Sequence, residues 1–290
     1  MNIENIIAQA TEGVLASMSV VRRAQGKKAS DIETKEDETI VTATDRISAA
    51  AAAQYLKVTN IPIMSEDSEQ NVCVAGYRQF FDPLDGTSVF AGGSVASTVI
   101  WSLYDVGRRQ IIASIVGEPV SGRLWTASEG KPTELRWFNE KGIPKEGGQT
   151  TVVEKCCLSR KTAILFDLSH GFTRAGRQIL TDAQVGKLFS LLNTRTKINI
   201  PGSNGHIQAL VANGGTGIVG SITTALGGPW DACGVLLVLQ AGGHAKAFAL
   251  NNGLLEEKNP LAVEDYDCLI TGNSKETVNT LVDCFRQAVQ

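Results

Sequence analysis

The sequence has no apolar run long enough to span a bilayer, no block of lysine and arginine, and no C-x-x-C pair. The first absence excludes a membrane-crossing helix. The second, with a formal net charge of −3, leaves no electrostatic footprint for a nucleic acid polymer. The third bears on the six cysteines, at positions 73, 156, 157, 233, 268 and 284, which read as buried thiols in a reducing compartment. Met1-Asn2-Ile3-Glu4-Asn5 has neither the basic start nor the apolar core of a signal peptide, so the expectation is a soluble, cytoplasmic protein. There is no internal repeat and no low-complexity tract. What remains is ordinary for a globular chain: 43% hydrophobic and 20% charged residues, which argue against disorder. A chain of 290 residues makes one large α/β unit or two closely packed subdomains.

The most informative stretch is Phe81-Asp82-Pro83-Leu84-Asp85-Gly86-Thr87-Ser88. Pro83 fixes its own φ and biases Asp82 toward an extended backbone, so the middle of a helix is excluded. Held in a turn, Asp82 and Asp85 can point to one place and the Leu84 carbonyl can join them. Three such oxygens suit a hard divalent cation such as Mg²⁺. Gly86 lets the backbone approach a ligand, and Thr87 and Ser88 can open a helix whose free N–H groups hold an anion. The same residues also make an ordinary Pro-Asp-Gly turn between two strands.

In chain order, the apolar spacing predicts a helix over residues 3–24 and a charged surface loop over 31–38. Val41-Thr42-Ala43-Thr44-Asp45 leads into a second helix through Leu56, which Thr44 or Asp45 can cap. Ile63-Met64-Ser65 reads as a strand delivering Glu66 and Asp67 at its end. Strands follow near 78–81, 94–104, 110–116 and 124–127, so the first half is two helices and an antiparallel sheet. Residues 128–150, with charges, glycines and two prolines, mark the junction between a subdomain 1–135 and a subdomain 150–290. The second half alternates: strands at 162–166, 197–200, 217–222, 244–250 and 268–271, helices at 182–192, 205–212, 230–240 and 274–289. Asn273 with Glu276 forms a candidate capping pair for the last helix. Trp101, Trp125 and Trp137 read as packing residues.

Four acidic points stand at segment boundaries: Asp45, Glu66 with Asp67, Asp82 with Asp85, and Asp231 in Pro229-Trp230-Asp231. Asp231 opens an apolar helix ending in Ala241-Gly242-Gly243, where the helix dipole alone favours a carboxylate. In this order, Val41-Thr42-Ala43-Thr44-Asp45, Ser65-Glu66-Asp67-Ser68, Asp82 to Thr87 and Trp230-Asp231 resemble the inositol monophosphatase-like family. That is the Mg²⁺-dependent, lithium-sensitive phosphatase superfamily that also holds fructose-1,6-bisphosphatases and bisphosphate nucleotidases. The resemblance runs from the first helix to about residue 275. It implies a five-layer αβαβα sandwich, one phosphatase unit over residues 1–290, and a phosphomonoesterase acting on a small soluble phosphate ester. It further implies that Glu66, Asp82, Asp85, Asp231 and the Leu84 carbonyl hold two or three Mg²⁺. Thr87 with Asp45 would orient the attacking water, and the N–H groups of Gly86, Thr87 and Ser88 would cradle the phosphate. The family is commonly dimeric, which implies a homodimer.

Departures from the family pattern narrow the substrate. Asp67 stands where a second glutamate is frequent, next to a possible third metal. Thr224 stands where inositol phosphatases place an acid for ring hydroxyls, which argues against inositol phosphate. Gly202-Ser203-Asn204-Gly205-His206 matches the family's second glycine-containing helix start, which puts Ser203, Gly205 and His206 on the substrate side, although a histidine is unusual there. His170 and His244 read as structural. Lys35 and Trp230-Asp231-Ala232-Cys233 are somewhat similar to 3′(2′),5′-bisphosphate nucleotidases, which is the alternative activity. A metal- or phosphometabolite-binding regulator without catalysis is the alternative outside enzymes.

Overall fold

A computed structural model describes residues 2–27, 33–34, 40–65, 76–167, 179–224, 226–251 and 254–290. Lys35, Glu66, Asp67, Cys73 and His170 lie outside these residues, as does most of the loop expected at 31–38. Ile3–Ala24 (α1) buries Ala10, Val14, Met18 and Val21 on one stripe, and Asn2 caps it by accepting from the Glu4 N–H. The two-residue strands Glu33–Thr34 (β1) and Ile40–Val41 (β2) pair antiparallel before Ala43–Leu56 (α2). Thr42 is the N-cap of α2, and Asp45 answers it by accepting from the Thr42 N–H at 2.8 Å. The expected cap, Thr44 or Asp45, therefore moves to Thr42, with Asp45 as the reciprocal partner of a capping box.

The first sheet has seven strands in sequential order: Ile63–Ser65 (β3), Tyr77–Asp85 (β4), Thr98–Asp105 (β5), Gln110–Glu118 (β6), Arg123–Ser128 (β7), Lys131–Trp137 (β8) and Gln149–Thr150 (β9). All its pairs are antiparallel except β3 with β4, a parallel pair that the sequence reading did not include. The short helix Thr87–Ala91 (α3) separates β4 from β5. The second sheet runs β11-β10-β12-β15-β13-β14, from Ala163–Asp167 (β10), Lys197–Asn199 (β11), Ile218–Thr223 (β12), His244–Asn251 (β13), Leu254–Lys258 (β14) and Cys268–Gly272 (β15). Its helices are Asp182–Asn193 (α4), Asn204–Ala212 (α5), Val235–Gln240 (α6) and Lys275–Val289 (α7).

Period-two alternation makes both faces of the first sheet apolar and forces two partners on it. Phe81, Trp101 and Leu103 face α1 and α2, meeting Val14, Met18 and Leu56. Phe80, Ile100 and Trp125 face the other way, into a layer formed by Ile207 and Val211 of α5 and Leu237 of α6. Leu165 and Leu269 close that layer from the second sheet. On the far face, Ile164, Phe166 and Ile270 meet Leu188 and Leu192 of α4 and Leu281 and Phe285 of α7. The stack is α, β, α, β, α, and truncating fully buried Trp101 or Trp125 to alanine would cost about 3–5 kcal/mol.

Several local expectations change. Residues 128–150 hold β8 and β9, because Thr133 and Leu135 alternate inward along a strand that charged residues had hidden. Leu254–Lys258 adds an edge strand rich in glutamate and lysine, a composition common at sheet edges. The N-cap of α7 is Ser274, while Asn273 instead donates to the Glu154 and Cys156 carbonyls and accepts from the Thr277 hydroxyl. The helix expected over 230–240 divides into a 3-10 turn, Pro229–Ala232, and α6. Cys233, Cys268 and Cys284 are buried, but Cys157 is exposed and Cys156 half-buried. No described helix is long and apolar enough to cross a membrane.

Candidate active site

The site begins with a register fault. Asp82 pairs with Ile100 and Asp85 with Thr98, so three residue steps on β4 match two on β5. Residues three apart on a regular strand face opposite sides of a sheet. The extra residue at Pro83-Leu84 turns both carboxylates to the same side. Two helices hold the fault in place: Ser48 of α2 and Ser17 of α1 donate to the Pro83 carbonyl at 2.9 and 3.3 Å. Asp82 accepts from the Leu84 N–H at 2.9 Å.

Asp231 completes a cluster from the 3-10 turn, where its Oδ2 accepts from the Gly228 N–H at 2.9 Å. One oxygen each from Asp82, Asp85 and Asp231 lies within 4.8 Å of the others, and all three residues are buried. Three acids that close in a dry site repel one another unless a cation lies among them. The donor set is all oxygen, which suits a hard cation such as Mg²⁺ or Ca²⁺. The residues present fit a divalent metal.

Asp85 is the most constrained member. Its Oδ2 accepts from Thr98 Oγ1 (2.6 Å), Ser203 Oγ (2.7 Å) and the Gly205 N–H (2.7 Å), and its Oδ1 from the Asn204 N–H (3.2 Å). Burial pushes its carboxyl above the usual aspartate value, and these four donors pull it back only in part. Ser203 and Gly205, placed on the substrate side by resemblance, hold this carboxylate. Glycine is required for the approach, since a Cβ at Gly205 would sit 2.5 Å from Thr98 Oγ1. Thr98 was not recognised from sequence, and only the sheet register brings it to Asp85.

Gly86 takes φ 82° at the start of α3, with the Gly202 carbonyl and Ser203 against it, so β4 turns into the helix without a side chain in the way. Thr87 is buried and its Oγ1 lies 3.0 Å from Asp45 Oδ1 and 2.9 Å from the Leu84 carbonyl. Asp45 Oδ2 accepts from the Thr42 hydroxyl at 2.6 Å. Ser88 is exposed on the same turn. Ser65, which precedes Glu66, pairs with Phe81 beside Asp82.

One neighbouring cluster forms around a residue that falls between the strands expected at 110–116 and 124–127. Glu118 ends β6, nearly fully buried, and its Oε1 lies 2.8 Å from His206 Nδ1 on α5. Its Oε2 accepts from Arg123 Nε and Ser121 Oγ, each at 2.7 Å. Burial alone would raise this carboxyl; His206, then Arg123 and Ser121, outweigh it and leave Glu118 below the usual glutamate value. Thr224 is buried just beyond β12, its N–H donating to the Asp167 carbonyl at 2.9 Å.

No curated protein matches the sequence. Solved structures match over nearly the whole chain. An extragenic suppressor protein SuhB from Bartonella henselae shares 19% identity at a TM-score of 0.76, covering 98% of each chain. An inositol monophosphatase from Anabaena (Nostoc) shares 20% at a TM-score of 0.73, covering 99% of this chain and 97% of its own. An IMPase/NADP phosphatase complexed with NADP and Ca²⁺ shares 16% at a TM-score of 0.68, covering 97% of this chain and 95% of its own. Identities this low establish the fold. The sequence itself matches the inositol monophosphatase family from residue 2 to residue 286. The protein belongs to that family of metal-dependent phosphatases.

Proposed function

We propose that this protein is a Mg²⁺-dependent phosphomonoesterase that hydrolyses a small soluble phosphate ester. The observation that carries the reading is the position of the Thr87–Asp45 pair beside three converging buried carboxylates. Asp82, Asp85, Asp231 and the Leu84 carbonyl would hold the cation, with Glu66 as a further ligand and Asp67 beside a third ion. A bound divalent cation would neutralise phosphate charge and lower the pKa of the attacking water. Thr87 Oγ1, with Asp45 as acceptor of its proton, orients that water and passes its proton toward a carboxylate. The N–H groups of Gly86, Thr87 and Ser88, at the start of α3, would cradle the phosphate. The alcohol portion lies toward Ser203, Gly205, His206 and Thr224.

The reading extends to a homodimeric, lithium-sensitive cytoplasmic enzyme acting as one unit, with a metal-bearing subdomain 1–135 and a substrate-side subdomain 150–290. Buried, neutral Thr224 favours a substrate other than inositol phosphate. A 3′(2′),5′-bisphosphate nucleotidase is the second reading, supported by the similarity to an enzyme that takes up the phosphorylated nucleotide NADP. Phosphate release over inositol 1-phosphate, sugar phosphates, nucleoside monophosphates and adenosine 3′,5′-bisphosphate separates these. Chelator-sensitive release from one group is expected. Silence from folded protein with Mg²⁺ present would overturn the enzymatic reading in favour of a binding regulator.

A further inference from the structure

Asp85, Thr98 and Glu118 form a row across three strands. Asp85 pairs with Thr98, and Glu118 lies one position past the Val99–Gly117 pair, opposite Thr98. Paired residues of an antiparallel sheet point to the same side, and strands lie about 4.8 Å apart. Glu118 therefore starts about 10 Å from Asp85, on the face that α5 covers. The first turn of α5 spans the row: Ser203 reaches Asp85 and Thr98, and His206, three residues on, reaches Glu118. Residues three apart share a helix face.

The Glu118 carboxylate is nearly inaccessible, whereas the His206 side chain keeps 16% of its exposure. An ionised carboxylate only accepts, so Nδ1 carries the proton in the Glu118–His206 bond, and whenever the ring carries a single proton Nε2 bears a lone pair. Arg123 and Ser121 occupy the other Glu118 oxygen, and Arg123 packs over the Trp125 ring at 5.0 Å. Arg22 of α1 grips the Pro119 carbonyl in the same turn. The carboxylate thus has little freedom to leave His206.

We propose that Glu118, fixed by Arg123 and Ser121, is a positioning residue that holds His206 with Nδ1 protonated, so that Nε2 accepts a hydroxyl hydrogen from the alcohol portion of the ester. This rests on the phosphomonoesterase reading and adds to it a substrate class: alcohols carrying a free hydroxyl about one small-sugar length from the phosphate. An alcohol without that hydroxyl leaves Nε2 unpaired and gains nothing from the arrangement.

Two arms test it. In nitrogen-15 spectra of the intact protein, which has three histidines, His206 should show the Nδ1-protonated tautomer near neutral pH. Glu118→Gln should weaken that preference. The Nε2 signal should move on adding β-glycerophosphate with Ca²⁺, and not with inorganic phosphate and Ca²⁺. In the kinetic arm, asparagine reproduces the Nδ1 donor and glutamine the Nε2 position. His206→Asn should lower kcat/KM for β-glycerophosphate relative to phenyl phosphate about tenfold, mostly through KM, with His206→Gln recovering part of the loss. A proton on Nε2 near neutral pH, whether in the other tautomer or in a doubly protonated ring, a silent Nε2 signal, or an unchanged ratio in His206→Asn overturns the proposal. Hydrolysis of neither ester would leave the catalytic reading to the wider ester panel and the nitrogen spectra to decide this one.

Discussion

Thr87 Oγ1 stands 3.0 Å from Asp45 Oδ1, joining the start of α3 to the first turn of α2 across 42 residues of sequence. The hydroxyl has one proton and two acceptors, Asp45 and the Leu84 carbonyl. The carboxylate is held in turn by Thr42. Each group in this chain fixes the next, which is what a proton path to a carboxylate requires.

Thr87→Ala should lower kcat by about 10²–10⁴-fold with a smaller change in KM, since it removes the group that orients the water. Steady-state kinetics on any accepted ester checks this. A loss confined to KM would assign Thr87 to binding.

Asp85→Asn separates stability from activity. Burial makes the Asp85 charge costly without a cation, while the asparagine amide would turn its NH2 toward one of the four donors, so the chelated variant should melt close to the chelated wild type. Wild type should gain stability with rising Mg²⁺ by mass action, and the variant should gain much less. Thermal melts with and without Mg²⁺ give the answer; equal gains would remove Asp85 from the ligand set.

Gly205→Ala would place a methyl group 2.5 Å from Thr98 Oγ1 and 2.9 Å from the Ile100 side chain. Moving α5 away to make room should cost about 1–3 kcal/mol and loosen its grip on Asp85. Denaturant unfolding and Mg²⁺ titration should both worsen. Gly186→Ala, with open space at its Cβ and far along the chain, serves as the control.

The Glu118 cluster gives a pH signature. Its folded pKa lies below the unfolded value of 4.5, so its contribution to stability is complete above 4.5 and fades as pH falls through the folded value. Wild type should therefore exceed Glu118→Gln in stability near neutral pH, with the gap narrowing as acid is added below 4.5. A gap that is flat down to the acid limit would mean that the charge of Glu118 does not matter to the fold.

Thr224→Glu tests substrate choice. Inositol 1-phosphate turnover should rise relative to other esters, and no change in that ratio would show that Thr224 does not exclude inositol.

Much of this was legible in sequence because it was local. Pro83 and Gly86 marked the turn, periodicity marked α1, and the spacing of Asp82 and Asp85 suggested convergence before the bulge that produces it was visible. What was hidden depends on register and on distant pairing. Thr98 looks like any β-branched strand residue until it stands opposite Asp85. Glu118 and Arg123 fall between the strands expected at 110–116 and 124–127, and His206, the partner of Glu118, is 88 residues from it. Strand β8 was masked by the charges on its outer face, and the cap of α7 shifted by one residue because Asn273 serves the chain at Glu154 and Cys156.

The most direct measurement is phosphate release by wild type and Asp85→Asn, side by side, over a panel of phosphate esters in Mg²⁺ and in chelator. The expected result is release by wild type in Mg²⁺ that disappears in chelator and in the variant. Release that persists in chelator, or equal rates from the two proteins, would contradict a metal site built on Asp82, Asp85 and Asp231.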